Sequence, residues 1–246
     1  MKSNSNSIIQ SLCIDNMNFG VMEELSINSY LKNGHEFHLY TYDSNIKVPR
    51  GTILFDANEI LEQNSLDENI LSDIFRYQLL HLKGGWWVNL DTICIRPFEF
   101  KSKYVFTEIL DYDKLNGISD SYRIGSHIMK VSNSAGILYD CLNYIRLRGL
   151  HNLNSKEINI DFLNAVLLNY NIKYYSKKAK TFSPYHYHEV YEFVKPNGNI
   201  YFNKNIYAIT LWKEMWHKMG LNPNRKYINN SIYEQLKSKY CDSLDS

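Results

Sequence analysis

Residues 72–97 read SDIFRYQLLHLKGGWWVNLDTICIRP, and this stretch decides the fold. Apolar residues recur at helical spacing up to a pair of glycines, which predicts a long helix over residues 67–83. Within it, Ser72 is a candidate N-cap residue, because its hydroxyl can accept a hydrogen bond from a free N–H group. The apolar run after the glycines predicts a strand over residues 86–90 that continues towards Ile95.

The flanking sequence alternates between the same two kinds of element. Short apolar or alternating runs predict further strands at residues 8–14, 36–42, 51–55, 104–109, 124–131 and 207–211. Helical spacing predicts further helices at residues 22–31, 134–146, 160–170 and 231–240. Strands that alternate with helices over the first hundred residues are typical of a parallel α/β sheet, with helices packed in layers around it.

Composition narrows the class of protein. The 246 residues form one predicted domain over residues 1–246, with 44% hydrophobic and 22% charged residues. A formal net charge of +1 argues against a nucleic-acid partner held by a broad basic field. No apolar stretch approaches 18 residues, so no transmembrane segment is expected. The four cysteines form no CxxC pair, and we expect reduced thiols in a cytoplasmic protein. Association at a membrane surface stays open.

Three polar or aromatic residues share one face of the predicted helix. Asp73, Arg76 and Tyr77 stand at i, i+3 and i+4, on a helix that otherwise needs apolar residues there. A guanidinium offers a planar pair of donors to phosphate, and a carboxylate accepts hydrogen bonds from sugar hydroxyls. The alternative is a structural ion pair between Asp73 and Arg76, and both interpretations can hold together.

The strand after the glycine pair delivers Asn89 and Asp91 to its carboxyl end. Ligands of open α/β sheets bind beyond the carboxyl ends of the strands. Oxygen ligands at i and i+2 suit a hard divalent cation that carries a diphosphate. Gly84 and Gly85 can serve as a helix C-cap, and a glycine pair also lets a ligand approach the backbone closely.

The pattern SDxxRYxxLxxxGGxWxxxDxxxxRPF over residues 72–98 resembles bacterial glycosyltransferases with a DxD-containing sugar-binding region. These are capsular and lipopolysaccharide sugar transferases and, more distantly, the catalytic domain of the clostridial glucosylating toxins. Residues 22–42 resemble the early segment of that family, residues 56–60 its next block and residues 208–240 its closing segment. The resemblance therefore covers most of the chain in the same order.

The resemblance implies a GT-A (Rossmann-like) fold with a mixed central sheet flanked by helices. Residues 7–100 would bind the nucleotide sugar, and residues 101–246 would hold the acceptor side and the closing segment. The implied reaction moves a hexose from a nucleoside diphosphate sugar, of the UDP type, to a hydroxyl of a glycan acceptor, with retention of configuration. Mn²⁺ or Mg²⁺ is the implied cofactor.

The same resemblance assigns residues to roles. Asp73 and Arg76 would contact the donor's sugar and phosphates, with Tyr77 beside them. Asn89 and Asp91 would occupy the two acidic positions of DxD, with Asp91 as the direct metal ligand. The implied cofactor-binding residues are Asp73, Arg76, Tyr77, Gly84, Gly85, Asn89, Asp91, His186, Thr210 and Trp212. His186 enters because residues 184–187 resemble a Pro-x-His-Trp segment of the family, and its alternative is a loop histidine without a special role.

Three positions depart from the family pattern. Asn89 replaces an aspartate, so one negative charge is missing and weaker or dispensable metal binding is expected. Cys13 stands where the family has a tryptophan that stacks on the base. Thr210 stands where the closing segment usually has a histidine, and a threonine cannot become a cation near neutral pH.

These departures leave two alternatives to an active transferase. The first is a catalytically degenerate module of the same fold that binds a sugar nucleotide or a glycan. The second is a nucleotide-binding structural subunit of a larger assembly. Ser126 and His127 follow Gly125 in a predicted strand facing the site, and contact with an acceptor is a weaker hypothesis for them.

Overall fold

The computed structural model describes residues 8–14, 19–110, 122–153, 158, 160–197 and 202–241. Nine strands are present among them: β1 (Ile8–Cys13), β2 (Glu36–Thr41), β3 (Thr52–Asp56), β4 (Gly85–Val88), β5 (Thr92–Cys94), β6 (Val105–Leu110), β7 (Tyr122–Val131), β8 (Ser176–Lys177) and β9 (Ala208–Thr210). The described α-helices are α1 (Val21–Lys32), α2 (Glu68–Lys83), α3 (Gly136–Arg148), α4 (Ile160–Leu167), α5 (Lys213–Lys218) and α6 (Ile232–Cys241).

Seven strands form the central sheet in the order β3-β2-β1-β4-β7-β6-β8. Strands β3, β2, β1 and β4 run parallel, whereas β7 is antiparallel to both β4 and β6. The predicted α/β fold with a mixed central sheet flanked by helices is thus confirmed. Strands β2 and β3 are added on one side of β1, and β4 is then added on its other side.

The two tryptophans of β4 divide the core between the two faces of the sheet. Trp86 packs with the apolar residues of α1, and Trp87 packs with those of α2, α3 and α4. Successive side chains of a strand point to opposite faces, so this division follows from the sequence alone. Both rings are almost fully buried, which agrees with the interpretation of the pair as core residues.

The predicted strand from Trp86 towards Ile95 is wrong in one respect. Strand β4 ends at Val88, and Thr92 closes a turn by donating from both its backbone N–H and its hydroxyl to the carbonyl of Asn89. After this turn, β5 leaves the central sheet and pairs antiparallel with β9 in a second, two-stranded sheet. The turn therefore brings Asp91 to the edge where the two sheets meet.

Helix α2 begins earlier than a cap at Ser72 would require. Asp67 is the N-cap residue, and its carboxylate accepts a hydrogen bond from the backbone N–H of Asn69 at 2.9 Å. Ser72 therefore lies inside the helix. The prediction of Ser72 as N-cap was wrong because an equally good acceptor stands five residues upstream.

At its C-terminal end, α2 stops at Gly84, whose φ of 67° lies in the left-handed region. A Cβ atom at this position would lie 2.5 Å from the backbone nitrogen of Asn133. Glycine is required here by both the positive φ and the close approach of the turn that follows β7.

No helix among the described residues is long and apolar enough to cross a membrane. None of the four cysteines forms a disulfide bond in the structure.

Candidate active site

A cleft of about 250 Å³ opens at the carboxyl ends of β1 and β4. Because β2 and β4 lie on opposite sides of β1, this is the point where the strand order reverses, and ligands of open α/β sheets bind at such a point. The cleft is lined by Ser11, Leu12, Cys13, Ile14, Glu23, Glu68, Asn69, Ser72, Trp87, Asn89, Leu90, Asp91 and Lys213.

Asp91 is held in the cleft by the segment that follows β9. The backbone N–H of Leu211 donates to its carbonyl at 2.8 Å, and that of Lys213 donates to its Oδ2 at 3.1 Å. Oδ1 is buried and has no hydrogen-bond partner among the described residues. Burial raises the pKa of the Asp91 carboxyl above its ordinary value, and the bond from Lys213 only partly offsets this. Such an oxygen is able to bind a cation or to accept a hydrogen bond from a donor group.

Strand β5, which follows Asp91, is fixed along both edges. One edge pairs with β9, and the other receives side chains of α1. The hydroxyl of Ser26 donates to the carbonyl of Thr92 at 2.7 Å, and the hydroxyl of Ser29 accepts from the N–H of Cys94 at 2.7 Å. These hydrogen bonds explain how the two serines of α1 can be completely buried against the core.

Asn89 lies beside Asp91 at the rim of the same cleft. Its Oδ1 accepts a hydrogen bond from the indole N–H of Trp87 at 2.9 Å. An amide oxygen has two lone pairs, so one remains for a cation or a sugar hydroxyl. The contact with Trp87 also fixes which end of the amide is the oxygen.

The pair of Asp73 and Arg76 joins this group through Trp87. Arg76 is 3% exposed, forms an ion pair with Asp73, and places its guanidinium carbon 5.0 Å from the centroid of the Trp87 ring. The structural ion pair considered from the sequence is therefore present. Burial raises the pKa of Asp73, while the charge and hydrogen bond of Arg76 act to lower it. The side chain of Asp73 keeps 20% of its surface exposed, but neither Asp73 nor Arg76 lines the cleft itself. Their link to the cleft is Trp87, which lines it.

Tyr77 lies deeper than Asp73 and Arg76. Its ring is 1% exposed, and it packs edge-on against Phe162 with the centroids 6.3 Å apart. Burial raises the pKa of its hydroxyl well above the ordinary value. Tyr77 is a core residue beside the ion pair, and the structure does not bring it to the surface of the cleft.

Asp91 and Asn89 could hold a divalent cation whose remaining ligands come from a substrate and from water. No group of three or more His, Cys, Asp and Glu side chains suited to a metal is found in the part of the chain that the structure describes. Asp91 offers a buried free carboxylate oxygen and Asn89 an amide oxygen. Mg²⁺ commonly binds through one or two carboxylates together with phosphate oxygens and water, so a cage made only of protein ligands is not required.

The predicted glycine pair lies away from the cleft. Gly84 and Gly85 are at the amino end of β4, and the atoms that approach them belong to the chain itself. The backbone near Asn133 faces Gly84, and the Gln10 side chain would lie 3.0 Å from a Cβ atom at position 85. The Gln10 amide also donates to the carbonyl of Gly84 at 2.7 Å. The close approach that glycine permits here serves the fold.

Three predicted residues of the later chain lie near one another behind the cleft. Thr210 is completely buried, and its hydroxyl is within 2.7 Å of the Ser183 hydroxyl. Trp212 is half-buried, and its indole N–H donates to the carbonyl of Tyr185. His186 is 5% exposed and is the N-cap residue of a short 3₁₀ segment, Tyr187–Phe193. Thr210 and His186 are therefore buried, and none of these three residues lines the cleft.

Sequence analysis missed a charged pair in the cleft. The ammonium group of Lys213 forms an ion pair with Glu23, whose side chain is 6% exposed, and both residues line the cleft. Glu23 also accepts from the backbone N–H of Gly20 at 2.8 Å in the first turn of α1. The position of Glu23 in the sequence could have indicated this. Glu23 lies in the first turn of the helix that follows β1, and such a turn lies at the carboxyl edge of the sheet.

No family model matches the sequence, and no curated protein matches it. Among solved structures, the chain is similar to "PaToxG Glycosyltransferase", with a TM-score of 0.47 and 18% identity over 66% of this chain and 69% of that chain. It is also similar to the glycosyltransferase GlyE of Streptococcus pneumoniae TIGR4, with a TM-score of 0.42 and 13% identity. The second match covers 71% of this chain and 45% of GlyE.

Proposed function

We propose that this protein is a glycosyltransferase of the GT-A type. It moves a hexose from a nucleoside diphosphate sugar, with UDP as the expected nucleotide, to a hydroxyl of a glycan acceptor with retention of configuration. The observation that supports this most is Oδ1 of Asp91, which is buried without a hydrogen-bond partner among the described residues, in a cleft at the strand-order reversal. The motif resemblance of residues 72–98 supplies the class of donor.

In this proposal, Asp91 and Asn89 hold Mn²⁺ or Mg²⁺ together with the donor's diphosphate. A bound cation of this kind neutralises the negative charge that develops on a leaving nucleoside diphosphate. The charges that line the cleft support a cation, since among the described lining residues Glu23, Glu68 and Asp91 are acidic and only Lys213 is basic. An anionic diphosphate would be repelled from such a cleft unless a cation came with it.

Asp73 and Arg76 position the donor sugar. Arg76 is fixed by its ion pair and by the Trp87 ring, so it holds the Asp73 carboxylate in one orientation. The exposed part of Asp73 can then accept hydrogen bonds from sugar hydroxyls. Preorganised groups of this kind raise the rate by positioning the substrate, and we assign no side chain as a nucleophile.

The experiment that tests the proposal is donor hydrolysis by the full chain. A panel of nucleoside diphosphate sugars is incubated with the protein and Mn²⁺, and free sugar and free nucleoside diphosphate are measured. We expect release from one donor in the parent protein and none in Asp91→Ala. Equal release from Asp91→Ala would remove Asp91 from the site.

The second candidate is a binding module of the same fold, which the asparagine at position 89 favours because it removes one charge from the metal position. Such a module would show donor binding without release of sugar. A cytoplasmic location at or near a membrane surface stays a prediction under either function.

A further inference from the structure

A chain of three buried polar side chains lies behind the cleft, and we call it the buried polar chain (His127, Ser183 and Thr210). His127 Nε2 is 2.8 Å from Ser183 Oγ, and Ser183 Oγ is 2.7 Å from Thr210 Oγ1. Thr210 donates to the carbonyl of Phe182 at 3.3 Å. The three residues are at most 5% exposed and come from β7, from the loop after β8 and from β9.

The donors of the buried polar chain can be assigned from one end. Since the Thr210 hydroxyl donates to a carbonyl, the Ser183 hydroxyl donates to Thr210 and accepts from His127 Nε2–H. Burial, and secondarily the charge of Arg76, lowers the pKa of His127 to about 3, so the ring is neutral near pH 7. The tautomer with a proton on Nε2 follows from the direction of the hydrogen bonds alone. The ring N–H of His127 and the hydroxyl hydrogens of Ser183 and Thr210 are then all donated to acceptors. A buried network whose donors are satisfied holds its side chains in one arrangement.

The position of the His127 ring depends on Gly125. A Cβ atom at residue 125 would lie 2.6 Å from Nδ1 and Cε1 of the His127 ring and 2.9 Å from Ile109. The ring therefore occupies the space that any other side chain at position 125 would need. Because position 125 has no side chain, the His127 ring can lie over it, within hydrogen-bond distance of Ser183.

The buried polar chain ends at a strained turn. Trp212 follows β9 with φ 61° and ψ 55°, a left-handed conformation that costs a non-glycine residue of this kind free energy. Its ring lies 5.3 Å from the His127 ring, and its indole N–H donates to the carbonyl of Tyr185 at 2.9 Å. The turn points the N–H groups of Leu211 and Lys213 at Asp91, on either side of Trp212.

We propose that the buried polar chain positions residues 210–213 so that the Lys213 N–H holds Oδ2 of Asp91 and leaves Oδ1 to a divalent cation bound with a nucleoside diphosphate. His127 and Ser183 are then positioning residues that never touch the ligand. Thr210 is the link, because it belongs both to the buried polar chain and to the strand that leads into the turn. This inference rests on the proposed function for the identity of the ligand.

The test compares Thr210→Val and Ser183→Ala with Thr210→Ser in the full chain. The first two remove a hydroxyl from the buried polar chain at nearly constant shape, and Thr210→Ser keeps the hydroxyl. Matched controls are Thr52→Val and Ser132→Ala, which remove hydroxyl bonds to Pro49 and to Tyr104 elsewhere in the fold. Two quantities are measured: the affinity for UDP with Mn²⁺ by calorimetry, and the hydrogen exchange rate of the Lys213 amide by NMR.

We expect UDP–Mn²⁺ affinity to fall about tenfold in Thr210→Val and Ser183→Ala, the size of one lost hydrogen bond near a charge. The Lys213 amide should exchange faster in the same two variants. Thr210→Ser should restore both quantities, and the two controls should leave both unchanged although they also lose a hydroxyl.

Unchanged affinity and unchanged exchange in folded Thr210→Val and Ser183→Ala would overturn the inference while leaving the proposed function in place. If the parent protein binds no UDP with Mn²⁺, the proposed function fails, and the Lys213 amide alone decides whether the buried polar chain sets the turn. Should Thr210→Val fail to fold, Ser183→Ala decides the same question, because Ser183 lies outside the paired strands.

Discussion

At the scale of the residue, Asp91 is a carboxylate whose charge is unfavourable until a ligand arrives. Burial raises its pKa above the ordinary value of 3.8, so its ionised form costs folding free energy at pH values above the raised pKa. We expect Asp91→Asn, measured by urea unfolding in EDTA at pH 7, to be as stable as the parent or more stable by about 1 kcal/mol. The difference should shrink as the pH falls, because the parent carboxyl then becomes neutral as well.

The same variant should lose the response to Mn²⁺, since an amide replaces the only carboxylate among the two predicted metal ligands. An Asp91→Asn protein that is strongly destabilised in EDTA would show that Asp91 serves the fold, and the account of its free oxygen would be wrong.

Asn89 provides a second test at this scale. Asn89→Asp keeps an acceptor for the Trp87 indole N–H and adds one negative charge next to Asp91. We expect Mn²⁺ to bind about tenfold more tightly, because a second carboxylate joins the ligand set. Calorimetry with Mn²⁺ alone measures this, and donor turnover measured beside it separates two explanations. Lower turnover in spite of tighter metal binding would mean that the asparagine is a specialised feature of this site.

The residues of the cleft and its surroundings were only partly predictable from the sequence. Asp91 and Asn89 follow a buried strand, and Asp73 and Arg76 share a helix face, so spacing was sufficient to group each pair. Glu23 and Lys213 are 190 positions apart, and their ion pair depends on how α1 and the segment after β9 meet. Thr210 could be named from the closing segment, but its complete burial could not be read from spacing.

At the scale of the element, α2 contains the buried ion pair of Asp73 and Arg76, and breaking it should lower the free energy of unfolding. Asp73→Ala leaves the guanidinium of Arg76, which is 3% exposed, without its charge partner. We expect a loss of about 3 kcal/mol in the free energy of unfolding. Glu192→Ala is the matched control, since it breaks the exposed i,i+3 pair with Lys195 and should cost less than about 1 kcal/mol. Equal losses in urea titrations would contradict the buried ion pair.

The junction between α2 and β4 supplies another prediction. Gly84→Ala adds a Cβ atom 2.5 Å from backbone at Asn133 and forces a side chain onto a φ of 67°. We expect a loss of about 2 kcal/mol or more, from strain and overpacking together. Gly34→Ala is the control, because its φ of 82° is similar but nothing lies within 4 Å. A smaller loss at Gly84 than at Gly34 would show that the close contact does not matter.

Periodicity predicted most of the longer helices and strands, but it did not predict the residues at which they end. The predicted helix over residues 160–170 ends at Leu167, and the strand predicted towards Ile95 divides at a turn. That division depends on hydrogen bonds from Thr92 to Asn89 and on pairing with β9, both of which are tertiary. Helix α5 was not predicted because its six residues are too short for a periodic signal.

At the scale of the whole molecule, the order of strands places the chemistry. The first four parallel strands could be predicted from alternation, but their order β3-β2-β1-β4 and the antiparallel β7 could not. Only that order brings the ends of β1 and β4 together with the start of α2 around one cleft. The second sheet then adds Asp91 and the segment after β9, which is more than a hundred residues away in sequence.

The central claim is that this cleft binds a nucleoside diphosphate sugar through a cation held at Asp91. The most direct test measures the melting temperature of the parent and of Asp91→Asn against a panel of nucleoside diphosphate sugars, each with Mn²⁺ and with EDTA. A ligand that binds only the native state raises the melting temperature. We predict a rise with one donor in the parent, larger with Mn²⁺ and absent in Asp91→Asn. No rise with any donor, or an equal rise in Asp91→Asn, would contradict the claim.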